Sequence, residues 1–397
     1  MTKLPQDSLQ FGKEENIIRI IAAYAAKRAG EIGAENVFNF SIGSPNVPAP
    51  PVVREALTDI LATVPPAQLH AYSPAAGFPW VRQAVADDLN RRYGTAYGAD
   101  DLYLTAGSSF ALSMAFKGLL LEGDEVILLA PYYPEYTVYA TCFGGKLVTV
   151  NCREEDFQID LDALKAAITE KTKILVVNSP SNPAGSIFSE ETICAVAEIL
   201  NAAQARFGHP IYILADEPYR ELVYDEGVTL PFIPKLYDNT IYCYSYSKCI
   251  SLPGERLGYV LVPPAVEDAR DVYAALAGAG RILGAVCDST LFQYMLPRVL
   301  DVTSDLSVYK TNRDLLLEAL SAQGYEMARP DGAFYLFLKA PDGDGDAFCE
   351  RAKQFEIMLV PGSCFGFPGW ARLSYCVDTE TIRRSLAAFE KLAESYR

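Results

Sequence analysis

The chain has 397 residues, half of them hydrophobic, with 25 prolines and 27 glycines spread along it. That length supports a large core divided between two structural units. The formal net charge of −16 argues against nucleic acid or an anionic membrane as a general partner, so an anionic ligand needs a local set of donors.

The start, MTKLPQDSLQFGKEEN, has no apolar signal core, and no run approaches the roughly 18 apolar residues of a membrane span, so a soluble, cytoplasmic protein is expected. Further on, short apolar stretches alternate with helix-length segments. DLYLTAG (101–107), DEVILLAP (124–131), GKLVTVN (145–151), TKILVVNSP (172–180), IYILADEP (211–218) and TIYCYSYSK (240–248) are strand-like. They lack the alternation of one-sided sheets, and SFALSMAFKGLLLEGD and SEETICAVAEILNAAQARFG lie between them. This predicts an α/β fold, a mostly parallel sheet with helices on both faces. After about residue 290 the rhythm changes. A long helical run, STLFQYMLPRVL to SVYKTNRDLLLEALSAQG, precedes strand-like GAFYLFLKA, IMLVPG and ARLSYCV and a final helix. The expected division is an N-terminal segment 1–45 that crosses to the small unit, a large unit 46–290, and a small α+β unit 291–397.

Several chemistries are disfavoured early. Nine cysteines without a CxxC pair read as reduced, mostly buried thiols. The two histidines, His70 and His209, stand in no supporting motif, so neither a histidine base nor a metal site is expected. In PDGDGDAFCE, Ala347 stands where a calcium loop needs glycine and Lys353 where it needs glutamate. GAGRILG and GSSFA each miss a required residue of the nucleotide and nucleophile motifs they approach.

Ligands of such sheets sit beyond the carboxyl ends of the strands. Those ends carry Gly107, Ser108, Ser109, Tyr132, Tyr133, Asn182, Asp216, Tyr219 and the stretch from Ser245 to Lys248. A lysine at a strand end, flanked by hydroxyls and followed by a buried arginine, suits a Schiff-base cofactor with a phosphate tail. The amine must lose its proton to condense with an aldehyde, and burial beside a cation lowers its pKa. Arg256, Ser245 and the helix start at Gly107-Ser108-Ser109 offer a fork, hydroxyls and free N–H groups to phosphate. Tyr133 and Asp216 suit a ring face and a ring nitrogen. Taken singly, Lys248 is an ordinary solvated lysine, Asp216 a turn cap, and Arg372 half of an ion pair; their common order changes that reading.

With those residues in order, the sequence resembles the class I/II aminotransferases of fold-type I pyridoxal-phosphate (PLP) enzymes. SYSKCISLPGERLGY is similar to that family's lysine segment, and NSPSNPAG to its Asn-Pro-Thr-Gly loop with Ala184 in place of threonine. ADEPYREL, SIGSPNVPAP, RLSYC and AYSPAAGFPWVRQAVADDL resemble its aspartate-tyrosine strand end, N-terminal glycine loop, carboxylate-binding arginine and Tyr…Gly…Leu-Arg segment. The resemblance implies a seven-stranded, mostly parallel sheet plus a small α+β C-terminal domain, and a homodimer with shared active sites. It implies that Lys248 holds PLP as a Schiff base and shuttles the substrate proton. Asp216 pairs with the ring nitrogen, Tyr219 and Asn182 bond the ring oxygen, and Tyr133 stacks, with Tyr132 the second choice. Ser108, Ser245 and Arg256 hold the phosphate, with Gly107 at the helix start, Ser109 a further donor and Tyr72 reaching it from the neighbouring subunit. Arg372 grips the substrate α-carboxylate beneath the Gly43 loop, and Arg281, from the partner, is a candidate for a distal carboxylate. The implied reaction is ping-pong transfer of an amino group between an L-amino acid and a 2-oxo acid. The same residues serve β-elimination in related carbon–sulfur lyases, while a PLP-binding regulator is disfavoured by the acidic charge and short N-terminal arm.

Overall fold

The computed structural model describes residues 4–13 and 16–397; residues 1–3 and 14–15 of the expected N-terminal segment lie outside the described residues. In chain order the strands are β1 (Phe38–Asn39), β2 (Leu102–Thr105), β3 (Glu125–Ala130), β4 (Lys146–Asn151), β5 (Thr172–Asn178), β6 (Tyr212–Asp216) and β7 (Thr240–Ser245). They continue with β8 (Gly258–Leu261), β9 (Met327–Ala328), β10 (Tyr335–Lys339), β11 (Ile357–Met358), β12 (Val360–Pro361) and β13 (Trp370–Ser374).

Seven of them build the large sheet in the order β2-β8-β7-β6-β5-β3-β4. Only β8 runs against its neighbours; the other pairs are parallel. The run GYVL of β8 adjoins the lysine segment, and the six strand-like stretches of the sequence reading did not include it. Both faces of the sheet are buried, which is why its strands read as continuous apolar runs. In β5, Ile174 and Val176 join the core beneath helices Ser108–Leu119 and Ala269–Ile282. Leu175 and Val177 join the opposite core with Val85, Leu89, Val196 and Leu200. The two helices of the first face cross closely: a Cβ on Gly118 would lie 3.1 Å from backbone atoms of Ala275. Phe116 is fully enclosed there, and its loss to alanine would cost about 3–5 kcal/mol.

The second assembly is the antiparallel sheet β12-β13-β10-β9, packed against helices Ser307–Ala322 and Thr379–Glu394 through Tyr309, Leu316, Phe334, Phe389 and Leu392. β1 pairs in parallel with β11, so the chain after residue 39 runs beside the end of β13, where Ser374 N–H donates to Phe40 O at 2.9 Å. The long helical run expected after 290 is broken. It forms a helix Thr290–Met295, a tight turn Leu296–Arg298, and then Ser307–Ala322, because Pro297 lacks the N–H that would continue the first helix. Met295, Leu296, Val299 and Leu300 pack into the large sheet's core, although they follow residue 290. Among the described residues, no helix is long and apolar enough to cross a membrane.

Candidate active site

Strand alternation sets up the site. In β6 and β7, Leu214 and Cys243 face the helix Ser108–Leu119 side, so Asp216 and Ser245, two residues on, face it too at the carboxyl ends of adjacent strands. That helix begins beside them, where Gly107 at φ +80° makes the turn. Only a residue without Cβ fits there: one would lie 2.7 Å from the Arg256 guanidinium. A cleft of about 280 Å³ opens here, bordered by residues of both assemblies, among them Ser108, Tyr133, Asp216, Lys248, Arg256 and Arg372.

Asp216 is buried, and its Oδ2 accepts a 2.6 Å hydrogen bond from Tyr136 Oη. Its Oδ1 has no hydrogen-bond partner among the described residues. Burial pushes this carboxyl up to about 6, while the Tyr136 and Ser108 hydroxyls favour its charged form without restoring the usual value. Its backbone carbonyl accepts from Asn178 Nδ2 at 2.8 Å, and Asn178 Oδ1 accepts from the N–H of Asn182, also at 2.8 Å. Asn182 is thereby fixed, and its Oδ1 accepts from Arg372 Nη1 at 2.9 Å.

Lys248 is half-buried, and its Nζ donates to Gly43 O at 2.8 Å. Burial, the largest cause, and the Arg256 and Arg372 guanidiniums bring its amine down to about 8, against an opposing pull from the Cys376 thiol. An amine with that value is substantially neutral in mildly basic solution, the form that attacks a carbonyl. Arg372 lies on β13, 2% exposed. It stacks 4.7 Å over the Tyr335 ring, donates from Nη2 to Ser41 O at 2.6 Å, and keeps a buried Nε without a partner among the described residues. Buried donors of a guanidinium are normally satisfied, and this Nε is an exception.

Tyr133 borders the cleft, whereas Tyr132 turns away to pack around Pro131 and Phe157. Tyr219 is buried with its hydroxyl 2.8 Å from that of Tyr335. Ser108, Ser109, Ser245, Asn182 and Gly43 all border the same cleft; Ser245 Oγ is 2.8 Å from Ser247 Oγ. Arg256 differs from expectation in being exposed, not buried. It sits at φ +55° in a turn and reaches over the cleft mouth, donating to Pro253 O and Ala106 O. Tyr72, 85% exposed, and Arg281, exposed at the end of helix Ala269–Ile282, do not border the cleft in this single chain. The sequence reading missed Tyr136, Asn178 and Tyr335. Tyr136 and Asn178 carry a usable signal, since each falls within a few residues of a parallel strand's carboxyl end; Tyr335 does not, because β10 belongs to the other sheet.

The aminotransferase class I and II family pattern matches residues 35–389. A probable aspartate/prephenate aminotransferase of Aquifex aeolicus is 31% identical over 394 residues, covering 92% of this chain and 94% of that protein. The Thermus aquaticus protein of the same description is 34% identical, covering 87% and 89%. Among solved structures, an aminotransferase from Eubacterium rectale superposes with a TM-score of 0.98 at 46% identity over the whole of both chains. The aspartate aminotransferase of Thermus thermophilus with maleate gives 0.86 at 28% identity, covering 99% of this chain and 100% of that one. Because the family match extends from β1 to β13 and so takes in both sheets and all the polar residues that line the cleft, this chain belongs to the class I and II aminotransferases.

Proposed function

We propose that the chain binds PLP in this cleft and uses it to move an amino group between an L-amino acid and a 2-oxo acid, in two half-reactions that share one site. The observation that carries the reading is the pairing of two unsatisfied buried atoms, Asp216 Oδ1 and Arg372 Nε, in a cleft that also holds the lowered amine of Lys248. A protonated ring nitrogen satisfies the first, a substrate carboxylate the second, and an aldehyde the third. The residues fit the group. Lys248 would hold its aldehyde end, Asp216 its ring nitrogen, Tyr219 and Asn182 its ring oxygen, and Tyr133 one ring face. Gly107, Ser108, Ser109, Ser245 and Arg256 would surround the phosphate, drawing on the open N-terminus of helix Ser108–Leu119. When bound, the cofactor supplies the electron sink that makes the substrate Cα–H acidic.

The protein's own part is orientation and proton movement. Arg372 fixes the α-carboxylate with a planar fork, and the Asn182 amide and the Tyr335 ring keep that fork aligned. Lys248 Nζ takes the proton from Cα and returns it there in the reverse direction, its lowered pKa matching a base that works near neutrality. Asp216 keeps a negative charge in a place where only a cation relieves its burial.

The assembly we propose is a homodimer in the cytoplasm, with Tyr72 and Arg281 supplied to the partner's cleft. Tyr72 lies beside Ser73 and Ala71, which bond Asp288 and Thr290, and exposed Ile282 and Val286 precede them in the chain. The relatives described as aspartate aminotransferases make aspartate the first donor to test. Amino acids are added singly to the PLP-loaded protein while its absorption spectrum is followed. Conversion to the pyridoxamine form, with release of the matching 2-oxo acid, is the expected outcome. Release of pyruvate and ammonia without an oxo acid acceptor would replace transfer by elimination, and no spectral response to any amino acid would remove the proposal.

A further inference from the structure

Three consecutive carbonyls above the cleft are each held by a different side chain. Ser41 O accepts from Arg372 Nη2 at 2.6 Å, Ile42 O from Cys376 Sγ at 3.4 Å, and Gly43 O from Lys248 Nζ at 2.8 Å. The sequence RLSYC explains how one strand end reaches so many of them. At period two, Arg372 and Ser374 share one face of β13, with Cys376 just beyond its end, and Ser374 adds its own N–H to Phe40 O. This buried thiol therefore grips the chain immediately before Gly43, as donor to the residue 42 carbonyl.

From this geometry we infer that Cys376 is a positioning residue for Lys248. It holds Ile42 in place so that the adjoining Gly43 carbonyl is the resting acceptor for the Lys248 amine. The inference rests on the proposed function for its consequence in turnover. In that reading Lys248 and Arg372 are both drawn to cofactor and substrate during the cycle, and their hydrogen bonds to residues 43 and 41 are then contested. The thiol makes no contact with either ligand's place, since Cys376 does not border the cleft. Of the three clamps it alone persists through every stage. It thus decides where the Gly43 carbonyl stands when the amine returns, and hence how the base is aimed at Cα. Gly43 has no room to shift toward the cleft wall: a Cβ there would already lie 2.2 Å from Tyr335 Oη.

The experiment compares Cys376→Ala and Cys376→Ser with the wild-type protein in two readouts. The first is amide hydrogen exchange of residues 42–46 in the cofactor-free protein, which needs no catalysis. The second is kcat and KM for whichever amino acid the spectral screen identifies. Cys376→Ala is expected to speed exchange in that segment alone and to lower kcat about 3- to 10-fold, the worth of one ordinary hydrogen bond, with KM changed less than about 2-fold because Arg372 keeps Asn182. Cys376→Ser, whose hydroxyl can donate to the same carbonyl, is expected to restore both. Unchanged exchange in Cys376→Ala overturns the inference, as does a serine variant that exchanges and turns over like the alanine one. A wild-type protein with no transamination overturns the proposed function instead, and leaves the exchange comparison to decide the clamp.

Discussion

Replacing Asp216 by asparagine should move stability and activity in opposite directions. In the cofactor-free protein the carboxylate is buried, and its pKa rises from 3.8 to about 6. A shift of about 2 units corresponds to roughly 3 kcal/mol. The sign follows from proton linkage: the folded state binds its proton more tightly than the unfolded chain, so stability is fullest below about 4 and is lost as pH rises toward 6. Asparagine removes that loss. Its Oδ1 still accepts from Tyr136, while its amide N–H groups face the place of the unpartnered oxygen, at a cost of about 1 kcal/mol. A net gain of about 2 kcal/mol remains above pH 6, shrinking as pH falls to 5. Thermal unfolding of both cofactor-free proteins at pH 7.5 and pH 5 measures it. In the loaded enzyme the same change removes the partner of a ring cation, an interaction of 1–3 pKa units, so kcat/KM should fall about 10- to 1,000-fold. An asparagine variant less stable than wild type at pH 7.5, or equally active, would refute the account of this carboxylate as a buried charge without a cationic partner.

Capture of PLP by the cofactor-free protein should accelerate with pH through an apparent pKa near 8 rather than the 10.5 of a free lysine, because only the neutral amine reacts; rapid-mixing absorbance measures it, and Lys248→Ala should abolish it. Arg372→Lys keeps the charge but loses the fork, and should lower kcat/KM about 10- to 100-fold, chiefly through KM. Gly43→Ala should impair turnover because its Cβ meets Tyr335 Oη at 2.2 Å, and adding Tyr335→Phe should recover part of the loss, a coupling that a double-mutant cycle reads directly.

What the sequence determined by itself is whatever depends on local period and on order. Unalternated apolar runs ending in Gly, Asn, Asp or Pro mark buried parallel strands and their carboxyl ends, and that is enough to bring Asp216, Ser245 and Lys248 forward as neighbours at one sheet edge. The resemblance then assigns them chemistry. Tertiary structure alone decided the rest, because it depends on contacts between distant segments. Asn182 and Arg372 meet across 190 positions and Lys248 and Gly43 across 205, through the docking of one sheet against another, which no local pattern encodes. The exposure of Arg256 was likewise invisible: an apolar setting in the sequence suggested burial, but a positive φ turns the chain outward at the cleft mouth. The antiparallel direction of β8 likewise depends on its pairing with distant strands, whereas the break at Pro297 was legible locally, in a residue without an N–H. Local periodicity thus names the residues at each strand end, while the packing of whole elements sets which buried atoms are left unsatisfied, the atoms on which the proposed function rests.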